Sequence, residues 1–249
     1  MEKLKLKSKS KSKFLNFVNK YPLFKKFYYF YNIYIRYYKS LKNGSQFGEE
    51  QFILSFFEKD HKGKFVDIGC FHPTRYNNTY KMYKLGWRGI NIDLNPLTIE
   101  LFNFLRTKDI NINAAISDKE DTKTLYFIDE LNTQNTLESN HLLFLKKHHN
   151  VSDEEISLSE INTKRLDKIL DEYKFNDIDF LNIDVEGHEL NILSSIDYNK
   201  FKIKFISVEM INHNIESKIV SQKLNDLLNK NNYFLEKIIG CNYIFKKKQ

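Results

Sequence analysis

The sequence predicts an α/β fold, a doubly wound and mostly parallel sheet that ends in a C-terminal antiparallel hairpin strand. From residue 48 onward, short apolar runs alternate with segments of helical periodicity. The runs are apolar almost throughout, which is typical of parallel strands buried on both faces. Two closing runs, residues 233–239 and 243–247, flank a Gly-Cys-Asn turn that predicts an antiparallel hairpin.

The predicted elements follow one another without a linker or an internal repeat, so residues 44–249 form one predicted domain. Strands are predicted where an apolar, β-branched run stops at Gly, Asp or Ser, and helices where apolar residues recur every three or four positions. The predicted strands are residues 64–68, 89–93, 111–117, 122–128, 178–184 and 203–209. The predicted helices are residues 49–59, 78–85, 96–106, 164–173, 188–196 and 217–229, and residues 131–157 are expected to be a loop with one short helix.

The positive charge of the chain lies in a separate N-terminal extension, residues 1–43. This segment holds eleven lysines and Arg36 against Glu2, a net charge of +11, whereas residues 44–249 carry −4. The overall charge of +7 therefore does not indicate a nucleic-acid-binding domain, and we expect no nucleic-acid partner. Two cysteines exclude a framework of several disulfides and suit a reducing cytoplasm.

The extension is predicted to start as a disordered Lys-rich stretch, residues 3–13, and to continue as a helix with an aromatic stripe. The stripe consists of Phe14, Phe17, Tyr21, Phe24, Tyr28, Tyr31, Ile35 and Tyr38. Pro22 suits the first turn of a helix that begins near Tyr21. The favoured interpretation packs the stripe on the body or on a second copy, and the alternative lays it on an anionic membrane surface. The oligomeric state stays open.

Polar, mostly acidic side chains follow the first three predicted strands. Asp67 and Gly69 end the first, Asp93 ends the second, and Ser117 and Asp118 end the third. Because the carboxyl ends of parallel strands meet at one edge of the sheet, these side chains are expected to border one ligand site. Asp93 is placed to accept hydrogen bonds from ribose hydroxyls, with a helix N-cap as the alternative. The dinucleotide and phosphate-loop glycine motifs are absent, so the pattern favours a nucleoside pocket without a phosphate site.

The fourth strand end carries the densest cluster, Asp184-Val185-Glu186-Gly187-His188-Glu189, and Glu209 ends the neighbouring strand. Carboxylates so close together repel one another unless they cap a helix, hold a proton or bind a cation. His188 suits a general base, a proton shuttle or a capping residue.

Together these motifs resemble the FkbM family of S-adenosylmethionine-dependent methyltransferases. The resemblance covers about residues 48–247 and leaves the extension outside. It rests on the segments Phe65-Val66-Asp67-Ile68-Gly69, Asn78-Thr79-Tyr80, Gly86-Trp87-Arg88-Gly89, Ile92-Asp93, Asn113-Ala114-Ala115-Ile116-Ser117, Ile183-Asp184-Val185-Glu186-Gly187-His188-Glu189 and Ser207-Val208-Glu209. The glycine-rich turn common in methyltransferases is reduced here to Gly69 alone.

The resemblance implies a class I methyltransferase-like sheet of seven strands with the last one antiparallel. It also implies methyl transfer from S-adenosylmethionine to an oxygen, often a sugar hydroxyl of a glycoside or surface polysaccharide. The cofactor-binding residues it implies are Asp67 and Gly69 on the methionine side with Thr79 as a helper, Asp93 at the ribose, and Ser117 and Asp118 at the adenine.

Three residues are expected to act on the acceptor. Asp184 lies between cofactor and acceptor, where it holds the methionine ammonium or orients the acceptor, and His188 or Glu186 is the expected base. No metal is expected. A divalent ion held by Asp184, Glu186 and Glu209 is the less favoured alternative.

The expected partner is a glycan or nucleotide-sugar acceptor for a surface polysaccharide or glycoconjugate. The expected location is the cytoplasm, with peripheral contact at the inner face of the membrane if residues 1–43 dock there. One alternative is a nucleotide-dependent oxidoreductase, which the missing glycines disfavour. Another is a non-catalytic scaffold that its N-terminal helix docks to a membrane or partner.

Overall fold

A computed structural model describes residues 18, 20–129, 132–210 and 215–248. The chain divides into two compact units, residues 1–43 and 44–249. In the first unit, helix α1 (Pro22–Phe30) starts with proline in its first turn, as Pro22 predicts. A π-helix (Tyr31–Arg36) and helix α2 (Ser40–Asn43) follow. The predicted disorder of residues 3–13, and the stripe members Phe14 and Phe17, fall outside the described residues.

The second unit is built on a seven-stranded sheet with a small second sheet beside it. The strands are β1 (Lys64–Ile68), β2 (Arg88–Asp93), β3 (Ile110–Asn113), β4 (Ala115–Ile116), β5 (Thr122–Phe127), β6 (Ser157–Lys164), β7 (Asp177–Ile183), β8 (Lys202–Glu209), β9 (Tyr233–Ile239) and β10 (Asn242–Lys247). The large sheet has the order β3-β2-β1-β7-β8-β10-β9. Strand β10 runs antiparallel to both of its neighbours, and the other paired strands run parallel. The predicted fold class is therefore confirmed.

Helices cover both faces of the large sheet. They are α3 (Glu49–Leu54), α4 (Tyr80–Lys84), α5 (Pro96–Leu105), α6 (Ser139–His148), α7 (Leu166–Glu172), α8 (Glu189–Ser194) and α9 (Ile215–Lys230). Side chains of α7, α8 and α9 pack with Val66, Ile90 and Leu181 in the larger core cluster. Side chains of α3 and α4 pack with Phe65 and Phe180 in a second cluster on the opposite face. This alternation along each strand is why nearly continuous apolar runs predict a sheet buried on both sides.

A row of buried polar residues crosses the sheet near its carboxyl edge. In the strand register Asp67 lies beside Asn91 on one side and Asn182 on the other, and Asn182 lies beside Ser207. All four side chains are at most 3% exposed. Buried polar groups need hydrogen-bond partners, so this row restricts what can pack against it.

Two parts of the predicted secondary structure are wrong. Residues 111–117 form two strands, because the chain turns after Asn113 where the Ala114 amide donates to the Asp93 carbonyl, at 3.1 Å. Strand β3 stays in the large sheet, while β4 joins β6 and β5 in the second sheet. The expected loop of residues 131–157 contains one helix, α6, as predicted, but strand β6, which begins at Ser157, was not predicted. Most of β6 is exposed and polar, so it lacks an apolar signal.

Gly69 is required at the end of β1. Its backbone has φ of +75°, and a Cβ there would lie 1.7 Å from the Asp184 carbonyl oxygen. Gly48 also has a left-handed backbone, with φ of +89°, but no atom lies within 4 Å of its Cβ position.

We expect Gly69→Ala to lower the free energy of unfolding by more than about 3 kcal/mol, because strain and a backbone clash add together. Gly48→Ala is the matched control, because it introduces backbone strain without a clash. It should lower the free energy of unfolding by about 1–2 kcal/mol. Urea denaturation of both variants measures the difference, and equal losses would contradict the close approach of β1 and β7.

Candidate active site

A cavity of about 360 Å³ lies at the carboxyl edge of the large sheet, a size within the range of about 300–1,000 Å³ that is usual for small-ligand sites. Six of the residues predicted from the sequence line it: Asp67, Gly69, Asp93, Asp184, Glu186 and His188. Thr79, Ser117 and Asp118 are not on its wall. The acidic strand ends therefore converge on one site.

Asp67 lines the cavity but is almost completely buried, with 1% of its surface exposed. Its Oδ2 accepts hydrogen bonds from Thr79 Oγ1 at 2.8 Å and Asn77 Nδ2 at 3.0 Å. Its Oδ1 accepts from Asn182 Nδ2 at 2.9 Å. Thr79 thus acts on Asp67, and Asp67 fixes the loop that follows β1.

Arg106 completes this network, and the sequence analysis assigned it no role. The side chain is fully buried and donates to the Pro73 carbonyl, to Asn77 Oδ1 and to Thr79 Oγ1. Its planar guanidinium can meet several acceptors at once, which a lysine ammonium cannot do in the same geometry. A lone arginine at the end of a predicted helix gives no local signal of such a role.

The loop after β1 is shaped further by His72, which is fully buried. Its Nδ1 accepts hydrogen bonds from the Thr74 and Arg75 backbone amides, at 3.2 and 3.1 Å. Phe71 takes a left-handed φ of +51°. Hydrogen bonds to the His72 side chain therefore stabilise this turn. In a glycine-rich loop, the conformational freedom of glycine would allow such a turn.

Asp93 holds the end of β2 against this loop. Its Oδ2 accepts from the Phe71 amide at 2.9 Å, and its Oδ1 accepts from the Asn95 amide at 2.8 Å. The N-cap of α5 is Asn95, whose side chain accepts from the Leu97 amide. Asp93 therefore does not cap the helix directly. Burial raises the pKa of Asp93 to about 6, and each oxygen keeps a lone pair for a ligand donor.

His188 has both of its ring nitrogens engaged. Nδ1 lies 2.5 Å from Glu138 Oε1, and Nε2 lies 2.9 Å from Ser117 Oγ. The hydrogen bond with His188 lowers the pKa of Glu138. With both nitrogens held, His188 positions the loop after β7 and has no free nitrogen to take a proton from an acceptor.

Ser117 and Asp118 lie behind the cavity wall. Ser117 is fully buried and donates to Asp118 Oδ1 at 2.9 Å. Ala114, Ala115 and Ile116 form the wall at this point. The two residues predicted to border the adenine are therefore not on the wall, which is formed here by the apolar residues that precede them.

The carboxylates of Asp184, Glu186 and Glu209 cluster at the cavity wall, where one oxygen of each lies within 4.8 Å of the others. Burial and the charge of Glu209 raise the pKa values of Asp184 and Glu186 well above their ordinary range. Protonation of these two carboxyl groups is therefore favoured relative to that of an ordinary side-chain carboxyl. The same three oxygens could hold a divalent cation, because hard cations prefer carboxylate ligands.

The backbone of the loop after β7 aims this cluster. Glu186 and Gly187 both have left-handed φ angles, +57° and +106°. Glu189, buried beneath, accepts from the Gly187 amide at 3.0 Å, and burial raises its pKa to about 7. A left-handed glutamate is uncommon, and strained residues of this kind often occur at functional sites.

Further polar groups on the wall come from outside the predicted strand ends. Asn242 lies beside Glu209 in the register and donates to Glu49 Oε1 at 2.7 Å. Glu49 is fully buried and also accepts from the Phe47 amide. These residues come from helix α3 and from the antiparallel strand β10, so only the assembled fold brings them to the site.

The chain matches the methyltransferase FkbM domain over residues 44–235. It belongs to the FkbM methyltransferase family. Family and fold together imply the use of S-adenosylmethionine.

Three solved structures that are similar to this FkbM-family chain carry the names of methyltransferases or methylases, and each has low sequence identity to it. A TehB-like S-adenosylmethionine-dependent methyltransferase from Corynebacterium glutamicum is 12% identical, with a TM-score of 0.43, over 86% of this chain and 96% of that one. A putative type 11 methyltransferase from Sulfolobus solfataricus is 11% identical, with a TM-score of 0.40, over 82% and 95%. A putative rRNA-methylase from Clostridium thermocellum is 11% identical, with a TM-score of 0.43, over 81% and 96%. No curated protein matches the chain.

The residues of this FkbM domain fit S-adenosylmethionine chemically. Asp93 offers carboxylate oxygens that suit the ribose diol, and Ile92, Leu94 and Ile116 offer apolar surface for a base. The cavity also carries several carboxylates that suit an ammonium group.

We expect Arg106→Leu to destabilise the FkbM domain by about 3–5 kcal/mol, because it leaves Asp67 without its buried counter-charge and the Pro73 carbonyl without a donor. Arg106→Lys should recover less than about half of this loss, since lysine restores the positive charge but not the planar guanidinium that donates to several acceptors. Urea denaturation measures both.

The matched control is Arg88→Leu. Arg88 is half-buried and donates only to the Tyr83 and Trp87 carbonyls, so its loss should cost less than about 1.5 kcal/mol. Equal losses for Arg106→Leu and Arg88→Leu would show that the Asp67 network does not hold the loop.

Proposed function

We propose that this FkbM-family chain transfers a methyl group from S-adenosylmethionine to a sugar hydroxyl of a glycan or nucleotide-sugar precursor for a surface polysaccharide or glycoconjugate. The observation that carries the proposal is the carboxylate cluster of Asp184, Glu186 and Glu209 on the wall that Asp93 and Gly69 also line. One cavity thus combines groups that suit a nucleoside with groups that can orient and deprotonate a hydroxyl.

When bound, S-adenosylmethionine supplies an electrophilic methyl group on a sulfonium. In this proposal Asp93 accepts hydrogen bonds from the ribose hydroxyls, while its two backbone contacts keep the carboxylate oriented. Gly69 leaves room for the backbones of β1 and β7 to meet, and Asp67 holds the loop that shapes the methionine side. Positioning matters most, since reacting atoms must come within about 3–3.5 Å.

A sugar hydroxyl is a poor nucleophile until a base takes its proton. Glu186 is the proposed base, because it faces the cavity and its raised pKa brings it closer to the working pH. Asp184, at the tip of β7, orients the acceptor hydroxyl. The hydroxyl proton would move to a Glu186 oxygen as the oxygen–methyl bond forms and the sulfur–methyl bond breaks, which would leave the cofactor as a neutral thioether. The proton would then leave Glu186 to solvent.

The acceptor class is supported by a buried oxygen that only a donor can satisfy. Asn242 is 6% exposed and lines the cavity, and its Oδ1 has no donor among the described residues. Buried polar atoms are seldom left unpaired. A sugar offers several O–H donors, so a polyhydroxyl acceptor suits both this oxygen and the carboxylates beside it.

We expect the purified protein, given S-adenosylmethionine with an isotope-labelled methyl group, to add one methyl group to neutral oligosaccharides or nucleotide sugars, as read by mass spectrometry. Asp93→Asn should weaken cofactor affinity about 10- to 100-fold in calorimetry, because it removes charge-assisted hydrogen bonds. Asp118→Asn, a strand-end acid off the wall, should leave it unchanged.

Two outcomes of this experiment would count against the proposal. Full cofactor affinity without methylation of any hydroxyl acceptor would contradict the acceptor class. Loss of affinity in Asp118→Asn but not in Asp93→Asn would show that the ribose lies elsewhere.

The rate of methyl transfer should fall as the pH falls, because the base must be deprotonated. Since the pKa of Glu186 is raised, the acid limb should have its midpoint well above the value of about 4.3 for an ordinary glutamate. Glu209→Gln removes a negative neighbour and should move this midpoint to lower pH. A pH profile of kcat measures the shift.

Two further variants separate the candidate bases. Glu186→Gln should lower kcat by about 10²- to 10⁴-fold. His188→Gln should lower the rate while leaving the midpoint in place. Loss of the acid limb in His188→Gln, with no shift in Glu209→Gln, would make His188 the base.

A further inference from the structure

The first unit exposes a continuous series of large apolar side chains. Leu23, Phe27 and Tyr38 are 64%, 62% and 58% exposed. The other members are Phe24, Phe30, Tyr31, Tyr34 and Ile35, each more than a third exposed. We call these eight residues the aromatic face. Burial of such side chains is favourable, and exposed apolar patches of this kind mark interaction surfaces.

The segment that carries the aromatic face also contains buried residues. On the same segment Tyr29, Asn32 and Ile33 are buried, with Ile33 fully so. Asn32 Nδ2 donates to the Tyr28 carbonyl at 2.8 Å, and Asn32 Oδ1 accepts from Arg36. The segment therefore combines buried residues with a second, apolar side that is exposed. Four members of the stripe predicted from the sequence, Phe24, Tyr31, Ile35 and Tyr38, lie on the open side.

The charge around this face has one sign. Every charged residue between positions 20 and 43 is a cation: Lys20, Lys25, Lys26, Arg36, Lys39 and Lys42. All but Lys25 are exposed. A second copy of the chain would bring these cations against one another, which costs energy at low ionic strength. A surface that is both apolar and anionic would relieve the repulsion and cover the aromatic face together.

We propose that the first unit docks on an anionic lipid bilayer, with the aromatic face at the boundary between headgroups and acyl chains. Amphipathic segments with Lys and Arg beside aromatic residues bind in this way, and phenol and indole rings favour the interface. No helix among the described residues is both long and apolar enough to cross a bilayer. The segment thus lies on the membrane, and long lysine side chains reach the lipid phosphates.

The test is co-sedimentation of the full-length protein with vesicles, and it needs neither cofactor nor acceptor. Vesicles of phosphatidylcholine with about one third phosphatidylglycerol should pellet most of the protein at about 0.05 M salt. Pure phosphatidylcholine vesicles should pellet several-fold less. Raising the salt to about 0.5 M should release protein from the anionic vesicles, because it screens the charges.

Variants identify the surface. Leu23→Ser with Phe27→Ser should lower vesicle affinity about tenfold or more, since two large side chains no longer enter the interface. Lys26→Glu with Lys39→Glu should weaken binding to anionic vesicles and leave the weak binding to neutral ones unchanged. Leu143→Ser with Leu158→Ser is the matched control, because these leucines are 63% and 67% exposed but lie in the second unit. Circular dichroism verifies that all variants are folded.

Failure to pellet with anionic vesicles at low salt would overturn the proposal, as would equal binding by the Leu23→Ser, Phe27→Ser variant. Light scattering could instead show that the wild-type protein is a dimer, that this variant is a monomer, and that neither binds vesicles. That outcome would assign the aromatic face to a contact with a second copy of the chain. Methyl transfer to an acceptor in solution does not depend on membrane contact. The sedimentation result can therefore be interpreted whether or not the protein shows methyltransferase activity.

Discussion

The structure of the site depends on one buried ionic network, in which Asp67 and Arg106 share Asn77 and Thr79 as hydrogen-bond partners. A charge in a protein interior is tolerated only when paired and fully hydrogen-bonded. Satisfying Asp67 therefore fixes the loop after β1, and that loop carries the Phe71 amide that orients Asp93. The buried charges and hydrogen bonds beneath the cavity therefore determine the shape of its floor more than the surrounding apolar packing does.

The sheet could be predicted from the sequence because buried parallel strands are recognisable as short, nearly continuous apolar runs. Asp67, Asp93 and Asp184 could be placed at one edge, since each directly ends or nearly ends an apolar run. Arg106 and Asn182 could not, because their hydrogen bonds to Thr79 and Asp67 join residues 27 and 115 positions apart. The polar interruptions at Asn91, Asn182 and Ser207 were nonetheless visible in apolar strands, and such interruptions indicate a buried polar row.

The remaining differences also have physical causes. Strand β6 is mostly exposed, so neither apolar periodicity nor burial indicated it. His188 was a reasonable base from its position in the cluster, but only the fold brings Glu138 and Ser117 to its two nitrogens. Which residue of an acidic cluster keeps a free, accessible atom depends on partners from elsewhere in the chain.

The charge of the cavity wall restricts what it can accept. Asp93, Asp184, Glu186 and Glu209 all line it, and ionised carboxylates on a cavity wall disfavour a phosphate or carboxylate ligand. Arg75 is a cation on the same wall, so an anionic group of an acceptor would have to lie towards it. Under the proposed function, the group that receives the methyl is neutral where it meets Glu186. A sugar hydroxyl would meet this condition, whereas a phosphate oxygen would not.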